Sequence, residues 1–118
     1  MLKLFVLVRK DIPLVQQAVQ SGHAVAAYLR DYRDTPWDNG TLVFLGVEDE
    51  EDLLFWKDVL NRNEVDHSAF YEPDISSFTA VSFVHDTSLP GTPKWKRLLD
   101  RRARLLRMEA ACECEAAH

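Results

Sequence analysis

An apolar run that ends abruptly and leads into a long helical segment constrains the fold most. Residues 2–9, LKLFVLVR, are rich in Leu, Val and Phe, which favours a buried strand, and KDIP at 10–13 ends that strand in a turn. Pro13 suits the first turn of a helix, so the chain can continue as a helix to about Tyr32. A buried strand that leads into a helix is typical of an α/β fold.

The middle of the chain repeats this alternation. TLVFLGV at 41–47 predicts a second strand, and residues 48–63 begin with acidic side chains, which suit a helix N-terminus, before turning apolar. Two short β-prone runs follow at 67–72 and 78–84, separated by the turn-like PDISS. These runs predict a hairpin or a closely spaced pair of strands.

A last helix is predicted from Pro93 to Met108, because Thr92 can cap it and Pro93 suits its first position. One face is apolar and is expected to pack on the sheet or on a second copy of the chain; it carries Trp95, Leu98, Leu99, Leu105 and Leu106. Seven of the fourteen basic residues lie mostly on the other face: Lys94, Lys96, Arg97, Arg101, Arg102, Arg104 and Arg107. The order βαβαββα predicts a three-layer α/β/α fold around a small mixed sheet of about four strands.

Length and charge limit the domain count and the class of partner. The 118 residues, 47% of them hydrophobic, are enough for one domain, expected over 1–110, with 111–118 as a disordered tail. The net charge of -5 argues against a strongly electropositive nucleic-acid binder. A polyanion would therefore need a local patch, and the basic face of the last helix is the candidate.

The cysteines and the N-terminus bear on location and cofactors. Cys112 and Cys114 are too close together for a disulfide framework, which fits a reducing cytoplasm. With His118 they form a Cys-x-Cys-x3-His spacing, but a frayed tail is the favoured interpretation, so we predict no metal and no cofactor. The N-terminal segment lacks the features of a signal peptide, and no stretch reaches the apolar length of a membrane span, so no membrane partner is expected.

On a helical wheel, the first helix has an apolar arc that we expect to face the core: Val15, Ala18, Val19, Gly22, Val25, Ala26 and Leu29. His23 lies beside this arc, in a narrow stripe with Gln16, Gln20 and Ala27. A histidine at such a rim is either a packed structural residue or a titrating group in a site.

Several short motifs, in order along the chain, resemble the type 2 peptidyl-tRNA hydrolase family. They are LFVLVRKD at the end of the first strand, AVQSGHAVAA on the helix that follows, and VDHSAFYEPDISSFTAVSF near the end. The resemblance runs from about residue 2 to residue 84 and is closest to the small, domain-only, hydrolase-like members. It implies cleavage of the ester that joins a peptide to the terminal ribose of tRNA, with tRNA as the partner.

The resemblance also implies roles for particular residues. The implied catalytic group is His23, Asp11, Glu72 and Thr79. The expected substrate-binding residues are Arg9, Gln16 and Gln20, at positions of the family pattern, together with Lys10, Arg101 and Arg104, which the distribution of basic residues suggests. We expect His23 and Asp11 to meet Glu72 or Thr79 in one cleft at the end of the sheet.

One departure from the family pattern concerns the segment before the first helix. The enzymes carry a G-K-G-K stretch there, whereas this chain has the shorter IPLVQQ, with Gln16 where a catalytic lysine is expected. Two hypotheses follow: a hydrolase acting on an ester of tRNA or a related ester, and an inactive binding module on the same fold that holds RNA or a protein partner. The missing lysines favour the second hypothesis, and the retained His23, Glu72 and Thr79 favour the first.

Overall fold

The computed structural model describes residues 1–88, 90–103 and 108–109. The strands are β1 (Leu2–Arg9), β2 (Thr41–Val47), β3 (His67–Glu72), β4 (Ser77–Asp86) and β5 (Met108–Glu109). The helices are α1 (Leu14–Asp31), α2 (Glu50–Arg62) and α3 (Lys94–Arg102), and a single 3-10 turn, Pro73–Ile75, joins β3 to β4.

The strands form one mixed sheet in the order β3-β4-β1-β2-β5. β1 runs parallel to β2 and antiparallel to β4, and β3 pairs antiparallel with β4 across the 3-10 turn. The four longer strands are those that the sequence predicts. The two-residue β5, which pairs with β2 at the sheet edge, was not predicted.

Side chains of β1 alternate between two cores, one on each face of the sheet. Leu4, Val6 and Val8 pack with Ala24 and Tyr28 of α1. On the opposite face, a larger core contains residues of β1, β2, β4, α2 and α3; its largest members are Phe5, Leu7, Leu45, Leu53, Trp56, Leu60, Phe83 and Leu99. Because both faces of the sheet are covered, the fold is the three-layer α/β/α arrangement that the sequence predicts.

The predicted core face of α1 was wrong. Leu14 and Val15 are each 74% exposed, and Val19 is 44% exposed. The buried side chains belong to the opposite side of the helix: Gln20, Ser21, Ala24, Ala27 and Tyr28. Hydrophobicity alone therefore selected the wrong face.

Hydroxyl groups on β4 explain why polar residues of α1 face the sheet. Thr79 and Ser82 are fully buried in β4, and each hydroxyl donates to α1: Thr79 to the Gln20 side chain and Ser82 to the Ala24 carbonyl, both at 2.8 Å. A buried hydroxyl without a partner costs about 1–3 kcal/mol. The polar side of α1 supplies the acceptors, so it is this side that packs on the sheet.

The last helix departs from prediction at both ends. Its N-cap is Pro93, without a side-chain hydrogen bond, so Thr92 does not cap it. It ends at Arg102, and Met108 lies in β5 instead of in the helix. The helix packs on the sheet through Leu99, as expected, but Lys96 is also buried, with its ammonium group 4.2 Å from the centre of the Phe5 ring.

Some predictions fall on residues that the structure does not describe. The predicted roles of Leu105, Leu106, Arg104 and Arg107 lie outside the described residues, as does the predicted tail at 111–118.

Candidate functional site

The centre of the candidate site is a chain of hydrogen bonds from β4 through α1 to the end of β3. The Thr79 hydroxyl donates to the side-chain Oε1 of Gln20 at 2.8 Å, and the side-chain Nε2 of Gln20 donates to Glu72 Oε1 at 3.1 Å. Gln20 is only 2% exposed and Thr79 is fully buried. Since the amide accepts from one residue and donates to the other, it fixes the position of the Glu72 carboxylate.

A β-bulge directs Thr79 toward α1. In the pairing of β3 with β4, Phe70 is opposite Ala80 and Tyr71 is opposite Phe78, so Thr79 is the additional residue on β4. Along β4, Val81 and Phe83 belong to the core on the α2 side, and simple alternation would place Thr79 there too. The bulge reverses that alternation locally, which is how bulges commonly re-aim a side chain.

The network borders a cavity of about 250 Å³ between the start of α1 and the β3–β4 connection. The lining combines carboxylates, amides and apolar side chains, namely Ile12, Pro13, Gln16, Gln20, Glu72, Asp74, Ile75 and Thr79. Among the described residues, no Lys, Arg or His belongs to this lining. These residues therefore offer the cavity a positioned carboxylate and amide groups but no cation.

Arg9 and Asp11 form a tight pair at the base of the loop that leads into α1. The guanidinium donates to both Asp11 carboxylate oxygens at 2.8 and 2.9 Å, and also to the Ser77 hydroxyl at 2.9 Å. This pairing lowers the pKa of Asp11 and raises the pKa of Arg9. With its donors taken up in this way, Arg9 ties the loop to β4 beside the cavity, and neither residue lines the cavity itself.

His23 lies one turn beyond Gln20 on α1 but does not line the cavity. Its exposed ring stacks on Phe70 of β3, with ring centroids 4.5 Å apart and planes 10° from parallel. Phe70 is two residues before Glu72, so His23 occupies the same edge of the sheet as the cavity.

Lys10 and Arg101 lie away from this cavity. Lys10 forms an ion pair with Glu48 at 3.3 Å, next to the end of β2. Arg101 is exposed on α3, which packs on the face of the sheet opposite α1. There it borders a groove of about 620 Å³ between α2 and α3, whose basic residues are Arg62, Lys94, Arg97 and Arg101.

Sequence reasoning missed residues that shape the site. Ile12, Pro13, Asp74 and Ile75 line the cavity, and Gln17 holds the preceding loop by donating to the Ile12 carbonyl at 2.9 Å. The turn sequence PDISS indicated a loop after Glu72, but no local pattern showed that this loop would meet the start of α1.

No metal site was found in the part of the chain that the structure describes, where no group of three or more His, Cys, Asp or Glu side chains is placed to hold an ion. Cys112, Cys114 and His118 lie outside that part. Among the described helices, none has the length and apolar character required to cross a bilayer.

Neither a scan against protein-family models nor a search of curated proteins found a match to this chain.

Proposed function

We propose that this protein hydrolyses an ester of the kind that joins a peptide to the terminal ribose of tRNA, or a related ester. The observation that carries the proposal is the fixed Thr79–Gln20–Glu72 network at the cavity of about 250 Å³. These three residues are ones to which the family resemblance assigns a place in the site. In the sequence, Gln20 lies 59 positions from Thr79 and 52 positions from Glu72, so the network joins distant segments of the chain.

In the proposed reaction, Glu72 acts as the general base. Its carboxylate takes a proton from water as the water oxygen attacks the ester carbonyl. The tetrahedral intermediate then collapses, and the proton passes to the ribose oxygen that leaves. A positioned base of this kind contributes roughly 10²–10⁴-fold to a rate.

The remaining residues have supporting roles in this proposal. Thr79 and Gln20 are positioning residues, because they act on the substrate only through Glu72. Gln16, on the cavity wall, is placed to donate a hydrogen bond to the developing oxyanion. His23 would contact the leaving nucleotide from the rim, where its ring lies flat on Phe70.

The second hypothesis, an inactive binding module, rests on a separate observation. Among the described residues, the basic side chains Lys94, Arg97 and Arg101 have no acidic partner, and they border a groove on the opposite face of the sheet. The cavity beside Glu72 has no cation to hold a phosphate. Both observations fit a module that binds RNA through the basic groove and carries out no reaction at Glu72.

A cleavage assay with the purified protein and peptidyl-tRNA separates the two hypotheses. The hydrolase hypothesis predicts release of free tRNA and a large loss of rate in Glu72→Gln, with a smaller loss in His23→Ala. The binding hypothesis predicts retention of labelled tRNA without release of the peptide. Absence of both cleavage and binding would reject the hydrolase and the RNA-binding module, and would leave a module that binds a protein partner.

A further inference from the structure

The outward face of α1 is apolar and carries no charge, although 28% of the whole chain is charged. From Leu14 to Leu29 there is no Asp, Glu, Lys or Arg. Seven of the nine exposed positions in this stretch are apolar or glycine: Leu14, Val15, Ala18, Val19, Gly22, Ala26 and Leu29. This arrangement is the reverse of an ordinary surface helix, whose outer face is polar.

We propose that two copies of this chain pair through the outer faces of α1, antiparallel and around a two-fold axis at Gly22. The pattern of apolar residues is symmetric about Gly22. Among the exposed positions, Ala18 and Ala26 lie four residues to either side, and Val15 and Leu29 lie seven; Val25, the counterpart of the exposed Val19, is half-buried against the core on the α1 side. In an antiparallel pair, each member of these two exposed pairs therefore meets its counterpart on the other helix, which is the self-complementarity of a two-fold interface.

The small residues at the centre of this face allow the two copies of α1 to approach closely. A side-chain carbon added at Gly22 would meet no atom within 4 Å, so the space outside this position is open. With Ala18 and Ala26 one turn away on each side, the two backbones can approach closely at the crossing point. The larger Val15 and Leu29 then fill the space where the helices diverge.

Charge does not oppose a second copy at this face. Two molecules that each carry a net charge of -5 repel one another overall, so pairing is opposed least at a face that carries no acidic residue. The outer face of α1 meets this condition over its whole length up to Arg30, where an ion pair between Arg30 and Asp31 begins the charged end.

The size of this face indicates a reversible dimer. A stable interface commonly takes about 20–30 residues from each partner, whereas this face presents seven exposed apolar or glycine positions over the roughly 24 Å from Leu14 to Leu29. We therefore expect a weak dimer that dissociates on dilution. The pairing does not depend on the hydrolase proposal, because it uses the side of α1 that faces away from the sheet.

Cysteine cross-linking of the whole chain tests the pairing and its direction. In a background with Cys112→Ser and Cys114→Ser, Gly22→Cys should form a disulfide dimer on mild oxidation, because residue 22 meets its own copy. Val15→Cys should remain a monomer, since residue 15 faces residue 29 of the other copy. Leu54→Cys, on α2 and 38% exposed, is the control for random collision.

Sedimentation equilibrium gives the second measurement. The mass should rise from 13.6 kDa toward twice that value with concentration, and Val19→Glu should abolish the rise while circular dichroism stays unchanged. A protein that stays monomeric up to millimolar concentration would overturn the proposal. It would equally be overturned by a dimer in which Gly22→Cys does not cross-link, or by self-cross-linking of Val15→Cys, which would show a parallel pair.

Discussion

At the scale of single residues, Gln20 joins the stability of the protein to the geometry of its site. Replacing Gln20 with Leu leaves the buried Thr79 hydroxyl without an acceptor, which should lower the free energy of unfolding by about 1–3 kcal/mol. Urea denaturation measures this change. The matched control is Gln16→Leu, four residues earlier and exposed, which removes only the long hydrogen bond of 3.4 Å from Gln20 and should change stability by less than about 0.5 kcal/mol. Equal effects of the two substitutions would contradict a structural role for the network.

The second prediction at this scale concerns His85 and pH. Burial first, and then the nearby charge of Lys96, lowers the pKa of His85 from its ordinary value of 6.5, against smaller opposing effects of Asp100 and Asp86. As pH falls below about 6.5, the unfolded chain therefore takes up a proton more readily than the folded chain. The neutral His85 therefore contributes to the stability of the folded protein above about pH 6.5. This contribution is lost as pH falls toward the lower pKa that His85 has in the folded protein.

His85→Gln should reduce the fall in unfolding free energy between about pH 7.5 and pH 5.5, because it removes this titrating group. Denaturation of both proteins at the two pH values measures the difference. His67→Gln, on the neighbouring strand, is the control. If His85→Gln and the wild type lose the same stability over this interval, the assigned role of His85 is wrong.

At the scale of secondary-structure elements, α3 contributes to stability through one deeply buried leucine. Leu99 is 1% exposed in the core between α3 and the sheet, whereas its neighbour Leu98 is 38% exposed. Leu99→Ala should lower the free energy of unfolding by about 2–5 kcal/mol, and Leu98→Ala by less than about 0.5 kcal/mol. Thermal and urea denaturation of the pair measures this contrast. A small effect of Leu99→Ala would mean that α3 is not part of the folding unit.

The sequence predicted the strands better than the faces of the helices. The bounds of β1, β2 and β3 agree with prediction, because each is a compact apolar or β-prone run between clear turn residues. The face of α1 could not be predicted in this way. Gln20 is buried because the hydroxyl of Thr79, 59 residues away in the sequence, donates to its side chain, whereas the buried Ser21 hydroxyl is satisfied within the helix by the Gln17 carbonyl.

Part of the site could also be predicted and part could not. The resemblance placed Gln20, Glu72 and Thr79 in one site, and the structure brings these three together. The bulge at Thr79 and the approach of Ile75 to the start of α1 depend on strand register and on the path of the β3–β4 connection. Neither has a local sequence signal, because register is decided by pairing across the sheet.

At the scale of the whole molecule, the cavity and the basic groove lie on opposite faces of the sheet. A bound tRNA that uses both would have to reach around the molecule, so we expect the groove to govern affinity and the cavity to govern cleavage. Reversing the charge of both Arg97 and Arg101 to Glu should reduce the salt dependence of tRNA binding by about 0.9 per lost phosphate contact on duplex. Binding titrations at several salt concentrations measure the slope. The control is Arg33→Glu, an exposed arginine distant from the groove, and an equal change in slope for this variant would contradict the assignment.

In the proposed reaction, Glu72 is held by Gln20 and Thr79 and acts as the base in ester hydrolysis. Single-turnover cleavage of peptidyl-tRNA by the wild type, Glu72→Gln and Asp74→Asn measures this role. Both carboxylates line the cavity, but the hydrogen-bond network holds only Glu72. We expect a rate loss of roughly 10²–10⁴-fold for Glu72→Gln and of less than about threefold for Asp74→Asn. Cleavage by Glu72→Gln at the wild-type rate, or no cleavage by the wild type at any enzyme concentration, would show that Glu72 is not the base.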